Sequence, residues 1–196
     1  MKIYLIRHGE TTGDIEDRYG GDYEDHLTTR GRKESEELAD KLRGKRIEIV
    51  YHSPRIRAAE TAQIVGNKLG LELKVVENLR ERNAYGILTG MTKKEARDKH
   101  SDQVAELLRD KRYHKVKGSE DYLAFRNRII NAFEEVTKNK YSTIAVITHG
   151  GPISCFIREV LQLGELKRLG DCAIIEIDKF GTKYKLVRMD GAELEK

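Results

Sequence analysis

Apolar residues gather along this chain into short runs whose period switches between that of a strand and that of a helix. Residues 2–7 (KIYLIR) are a β-branched apolar run that stops abruptly at His8-Gly9. Residues 143–148 (TIAVIT) are the most apolar run, the pattern of a central strand covered on both faces. Residues 47–51 (IEIVY) and 71–76 (LELKVV) alternate as half-buried strands. Helical periodicity fills the gaps. Residues 29–43 read as an amphipathic helix with Thr28 or Thr29 as cap and Gly44 as stop. Pro54 opens a helix that runs through Leu69 and closes at Gly70, proline first and glycine last. Helices are predicted over 92–111 and 119–138, around the loop KVKG, and from Pro152 to Leu161. Residues 172–178 and 183–189 read as strands of a hairpin turning through Lys179-Phe180-Gly181-Thr182.

Strands alternating with helices predict an α/β fold, a three-layer α/β/α sandwich whose mostly parallel sheet carries helices on both faces. A chain of 196 residues suits one such domain over 1–196, with no internal repeat and no linker. Ligands of these sheets bind at the carboxyl ends of the strands. His8 follows the first strand and His149 the central one, so two imidazoles are expected at one edge.

Composition narrows the partners. Charged residues make up 36% of the chain, but Asp and Glu interleave with Lys and Arg almost everywhere, so the net charge of +4 reads as mild attraction for small anions. Nucleic-acid binding, which gathers its cations into a stripe, is not expected. Cys155 and Cys172 sit in apolar runs without metal-ligand spacing and read as reduced core thiols. Secretory and membrane-spanning patterns are missing, which predicts a cytoplasmic protein with no membrane partner. Gln occurs only at 63, 103 and 162 and Trp not at all, a usage that fits a heat-adapted source.

Four constellations carry candidate chemistry. Arg7-His8-Gly9-Glu10-Thr11 sets an imidazole at a strand end, with a glycine that permits a sharp turn and a guanidinium suited to phosphate oxygens. Alone it reads better as a satisfied histidine beside a surface arginine. Thr148-His149-Gly150-Gly151-Pro152 repeats the arrangement and leads into a helix start, whose free N–H groups suit an anion. His52-Ser53-Pro54-Arg55-Ile56-Arg57-Ala58-Ala59-Glu60-Thr61-Ala62 brings Arg57, with Arg55 as the competing candidate, to the same edge, where small Ala58 and Ala59 imply close packing. Leu79-Arg80-Glu81-Arg82-Asn83-Ala84-Tyr85-Gly86 places a carboxyl where burial beside a phosphate pocket raises its pKa and lets it donate a proton. A solvated loop glutamate is the alternative.

Taken in order, these motifs resemble the histidine phosphatase superfamily over residues 1 to about 160. The resemblance implies that His8 is a nucleophile forming phosphohistidine, that Arg7, Arg57 and His149 clamp the phosphate, and that Glu81 is general acid and base. It implies that Gly20 and Gly21, with Leu27, Thr28 and Gly31 after them, form the loop beside the substrate. Gly150, Arg82 and Tyr85 join them as expected phosphate or substrate contacts, and Gly118-Ser119-Glu120 with Arg126 matches a later family segment. Departures accompany the match. Asp14 stands where an asparagine often reaches the phosphate, so it must point away, stay protonated or bind another substrate group. His26 replaces a proline, His52 a serine, and one extra residue separates Glu81 from Gly86.

The expected activity is hydrolysis of small phosphate monoesters without metal or other cofactor. The alternatives are a cofactor-dependent phosphoglycerate mutase and a catalytically silent binding module. Region 92–127 is short and holds no paired arginines of the kind the mutases use for the glycerate carboxylate, which favours hydrolysis. The partner expected is a small phosphorylated metabolite, and the protein is expected to be a monomer or homodimer.

Overall fold

The computed structural model describes residues 1–110 and 112–195. Six strands form one sheet in the order β3-β2-β4-β1-β5-β6. They are β1 (Lys2–Arg7), β2 (Ile49–His52), β3 (Glu72–Val75), β4 (Thr143–Thr148), β5 (Leu166–Phe180) and β6 (Lys183–Leu194). The first four run parallel, and β5 and β6 add an antiparallel ribbon at one side. β4 lies between β2 and β1, and five of its six residues are buried, as its unbroken apolar run requires.

Alternation along β1 and β4 divides the core. Ile3, Leu5, Ile144 and Val146 face α6 (Tyr122–Thr137) and α7 (Gly150–Cys155). Tyr4, Ile6, Ala145 and Ile147 face α2 (Thr29–Leu42) and α3 (Ile56–Leu69). This is the three-layer sandwich that the element order predicts. A third, smaller cluster joins Leu88, Ala96, Val104, Leu107 and Val116 around α4 (Lys93–Lys99) and α5 (Ser101–Arg109). Among the described residues no helix is long and apolar enough to cross a membrane.

Several boundaries differ from the sequence reading, each for a physical reason. Pro54 sits in a turn and α3 starts at Ile56, because Glu24 reaches across to accept the Ile56 N–H and supplies a cap from another part of the chain. α7 starts at Gly150, two residues before Pro152, and its continuation over Phe156–Val160 is a π turn. The predicted helix over 92–111 is split at His100, whose backbone leaves helical geometry at φ −143° and ψ 48°. The hairpin strands are far longer than predicted, because bulges between Leu169 and Ile174 carry the ladder past a break in alternation. Cys155 is buried as expected, whereas Cys172 is only partly so; both are free thiols.

Candidate active site

Parallel pairing of β1 with β4 places Arg7 opposite Thr148, so the next residues, His8 and His149, leave the sheet side by side. The His8 N–H donates to Thr148 O at 3.0 Å, and the two rings lie 5.1 Å apart at 61°. β2 delivers Ser53 beside them, and the first turn of α3 delivers Arg57, buried at 4% exposure. Thr61, one turn further along α3, accepts the Gly9 N–H at 3.2 Å and ties that helix to the histidine turn.

Hydrogen bonds assign the imidazole tautomers. His8 Nδ1 lies 2.8 Å from Gly9 O, which can only accept, so Nδ1 carries the proton and Nε2 keeps its lone pair. Arg57 Nε, which can only donate, lies 3.3 Å from that Nε2 and 3.1 Å from His149 Nδ1. His149 Nε2 therefore holds its proton and donates to Ser53 Oγ at 2.7 Å. Burial, then the guanidiniums of Arg57 and Arg7, holds the pKa of His8 well below the ordinary histidine value. Burial and Arg57 do the same to His149. Both rings are neutral at physiological pH.

Glu81 enters from the loop after Leu79. Its oxygens accept the Arg82 N–H at 2.7 Å and the Gly151 N–H at 3.0 Å. Those bonds favour the carboxylate, but burial outweighs them and the pKa is raised. Gly151 leaves room for this approach, since a Cβ on it would lie 2.1 Å from Glu81 Oε1. The backbone of the loop is held by Arg128, which donates to Asn78 O at 2.8 Å and Arg80 O at 3.0 Å while pairing with Glu120 at 2.8 Å. The arginines partnering the Glu120 segment are thus Arg128 and Arg82, the latter donating to Glu120 O from Nε at 3.2 Å and Nη2 at 3.0 Å; Arg126 pairs with Glu159 instead. The extra residue before Gly86 is absorbed by a turn in which Asn83 Oδ1 accepts the Gly86 N–H, and at φ +49° Gly86 lies so close to the 117–119 backbone that a Cβ would meet Lys117 O at 2.1 Å.

These groups open onto a cavity of about 720 Å³. All eleven predicted site residues line it except His149, which lies behind Arg57 and His8 at zero exposure. Gly150 is at the wall, but the Gly151 N–H, one of those the sequence reading offers to an anion, is taken by Glu81. Asp14 accepts from the Thr11 backbone N–H at 3.0 Å and its hydroxyl at 2.8 Å, capping α1 (Thr12–Ile15), and its other oxygen lies 3.6 Å from Arg7 Nη2. Arg55 is drawn off to Asp22 and Glu24, which removes it as the rival of Arg57. His52 is buried with its Nδ1 on Ser53 O, and His26 pairs with Glu60.

Three residues of the site were not anticipated. Ser53 holds His149; it stands in a quoted motif, and its place after a strand is the signal that could have found it. Asp25 pairs with Arg57 at 2.8 Å. Asp171, whose pKa burial raises, lies 3.1 Å from Arg7 Nη1, though out of line for a hydrogen bond; the aligned acceptor of that Nη1 is Leu169 O at 2.9 Å. Both are lone carboxylates in loops or bulges, and no local pattern marks them.

Comparison with known proteins places the chain in a family. The family model of the histidine phosphatase superfamily (branch 1) matches residues 3–190. The chain is 28% identical over 177 residues to the metal-independent phosphoserine phosphatase of Arabidopsis thaliana, covering 88% of this chain and 74% of that one. It is 31% identical over 156 residues to phosphoglycerate mutase-like protein 4 of the same plant, covering 78% and 67%. The crystal structure of the α-ribazole phosphatase from Shigella flexneri superposes with a TM-score of 0.84 at 20% identity, covering 100% of this chain and 98% of that one. The chain belongs to branch 1 of the histidine phosphatase superfamily.

Proposed function

We propose that this protein is a phosphatase of small phosphate monoesters that acts through a phosphohistidine on His8 and needs no metal. The observation that carries the reading is the tautomer of His8: with Nδ1–H held on Gly9 O, Nε2 is the unprotonated nitrogen, and its lone pair meets only Arg57 Nε, at 3.3 Å, a donor shared with His149. A phosphate monoester resists attack because its charge repels nucleophiles, so catalysis must hold phosphorus in line and neutralise its equatorial oxygens. Arg7 and Arg57 supply that charge. His149 acts from behind them, its Nδ1 accepting the Arg57 Nε–H at 3.1 Å and so helping to hold that guanidinium against His8.

In the first step the His8 Nε2–P bond forms as the P–O ester bond breaks, and protonated Glu81 gives its proton to the leaving oxygen. The positive charge on the ring is eased by Nδ1–H donating to Gly9 O. In the second step water attacks phosphorus, Glu81 takes its proton, and the N–P bond breaks, restoring neutral His8. The ligand is a small phosphorylated metabolite, and the phosphoserine and α-ribazole phosphatases among the similar proteins support hydrolysis as the outcome. Arg112 and Arg158, which line the cavity, share the Glu165 carboxylate at 2.8 Å each, and that shared negative charge offsets the pull they would exert on a glycerate carboxylate.

Rapid quenching with a labelled ester tests the reading. Acid-labile, base-stable phosphate should appear on the native protein and be missing from His8→Ala, and exhaustive chelation should leave turnover nearly unchanged. Label on serine or aspartate, or none at all, overturns the covalent step; activity that returns only with a divalent ion overturns the metal independence. Isomerisation of 3-phosphoglycerate in place of phosphate release would identify the mutase.

A further inference from the structure

Arg57 is a buried cation with most of its donors already engaged. Nη1 donates to Asp25 Oδ1 at 2.8 Å and to Tyr23 O at 2.8 Å, Nη2 to Gly21 O at 2.8 Å, and Nε to the two imidazoles. Four of its five N–H groups thus point at protein atoms. Asp25 is itself 7% exposed, and both its oxygens are used: Oδ1 by Arg57 and Oδ2 by the Tyr23 hydroxyl, which donates at 3.4 Å. The corner is tightly built. A Cβ on Gly13 would lie 2.0 Å from the Tyr23 hydroxyl and 2.9 Å from Asp25 Oδ2.

Two consequences follow from a carboxylate in that place. A guanidinium is a rigid planar fork, so fixing its Nη1 side by a charge-assisted bond fixes the direction of the Nε edge that faces His8 and His149. A negative charge held 2.8 Å from the guanidinium also cancels much of the field that an incoming phosphate would feel there, and with both side chains buried the pair is weakly screened. We propose that Asp25 is a positioning residue with both effects: it aims Arg57 at the two imidazoles, and as a built-in counter-charge it weakens the hold of the site on phosphate, so that the product of hydrolysis can leave.

The inference rests on the phosphatase reading given above. Arg7 faces Asp171 and Asp14, whereas Asp25 is the carboxylate paired with Arg57. Asp25→Asn keeps the shape and an acceptor for Nη1 but removes the charge; Asp25→Ala removes both.

Orthophosphate binding, measured by titration calorimetry on the intact protein, should tighten by at least about tenfold in Asp25→Asn. Lost packing cannot tighten binding, so this outcome separates the charge from a merely structural role. In rapid quench, Asp25→Ala should slow phosphorylation of His8 at least about tenfold more than Asp25→Asn does, because only the latter still aims Arg57. Unchanged or weaker orthophosphate binding in Asp25→Asn overturns the counter-charge, even if Asp25→Ala fails to fold. Equal phosphorylation rates in the two variants overturn the aiming. A wild-type protein that binds orthophosphate but never forms phosphohistidine refutes the phosphatase reading, and the calorimetric comparison still judges Asp25.

Discussion

Gly151→Ala perturbs the candidate general acid without altering its chemistry. The new Cβ would stand 2.1 Å from Glu81 Oε1, and ordinary contact begins at 3.4 Å, so the carboxyl group must retreat by the difference, 1.3 Å. Retreat breaks the 3.0 Å bond from the Gly151 N–H. A misplacement of about 1 Å costs on the order of 10²-fold in rate, which corresponds to about 2.7 kcal/mol of barrier. Folding should survive, because Gly151 lies in the first turn of α7 with ordinary helical backbone, where alanine is favoured over glycine by about 1 kcal/mol. The assay is the burst of His8 phosphorylation with two esters. An alkyl phosphate leaves as a basic alkoxide and needs the proton, so its burst should fall about 100-fold; p-nitrophenyl phosphate leaves as a stable phenoxide and should lose less than about tenfold. A burst within about threefold of wild type with the alkyl ester, or equal losses with both, would refute the assignment of Glu81 as the proton donor.

Glu81→Gln removes the acid while keeping its size, and should slow the alkyl-ester burst by roughly 10²–10⁴ while affecting the nitrophenyl ester much less; equal losses would turn attention to Glu10. The same alkyl-ester burst should rise as pH falls from about 8 to about 6, because the raised pKa of Glu81 means its acid form is still growing while the depressed pKa of His8 keeps the nucleophile neutral. A fall centred near the ordinary histidine pKa of about 6.5 would show that His8 is not held neutral. His114 is only 5% exposed, with no hydrogen-bond partner for either ring nitrogen among the described residues, so His114→Leu should stabilise the protein by about 1 kcal/mol, read as a higher unfolding midpoint in urea. A destabilised variant would mean that the imidazole is satisfied in solution.

Much of the architecture was legible in local patterns because burial and backbone period leave direct marks on the residues that obey them. The alternation of β1 and β4, the Thr28 cap of α2 and the left-handed Gly70 that ends α3 are decided within a few residues of chain. Two strands each ending in His-Gly are enough to place both imidazoles at one edge of a parallel sheet, and the order of the motifs is itself a mark of the family. What tertiary structure alone decided is which charges meet and which donors are spoken for. Asp25 reaches Arg57 from 32 residues away, Asp171 approaches Arg7 from across the sheet, and Glu81 takes the Gly151 N–H that looked available to phosphate. The late start of α3 belongs with them, since its cap comes from Glu24 on a distant loop. An ion pair between loops depends on where the chain crosses itself, and a carboxylate buried against a guanidinium looks no different in sequence from one dissolved in water; only the packing that excludes the water tells them apart.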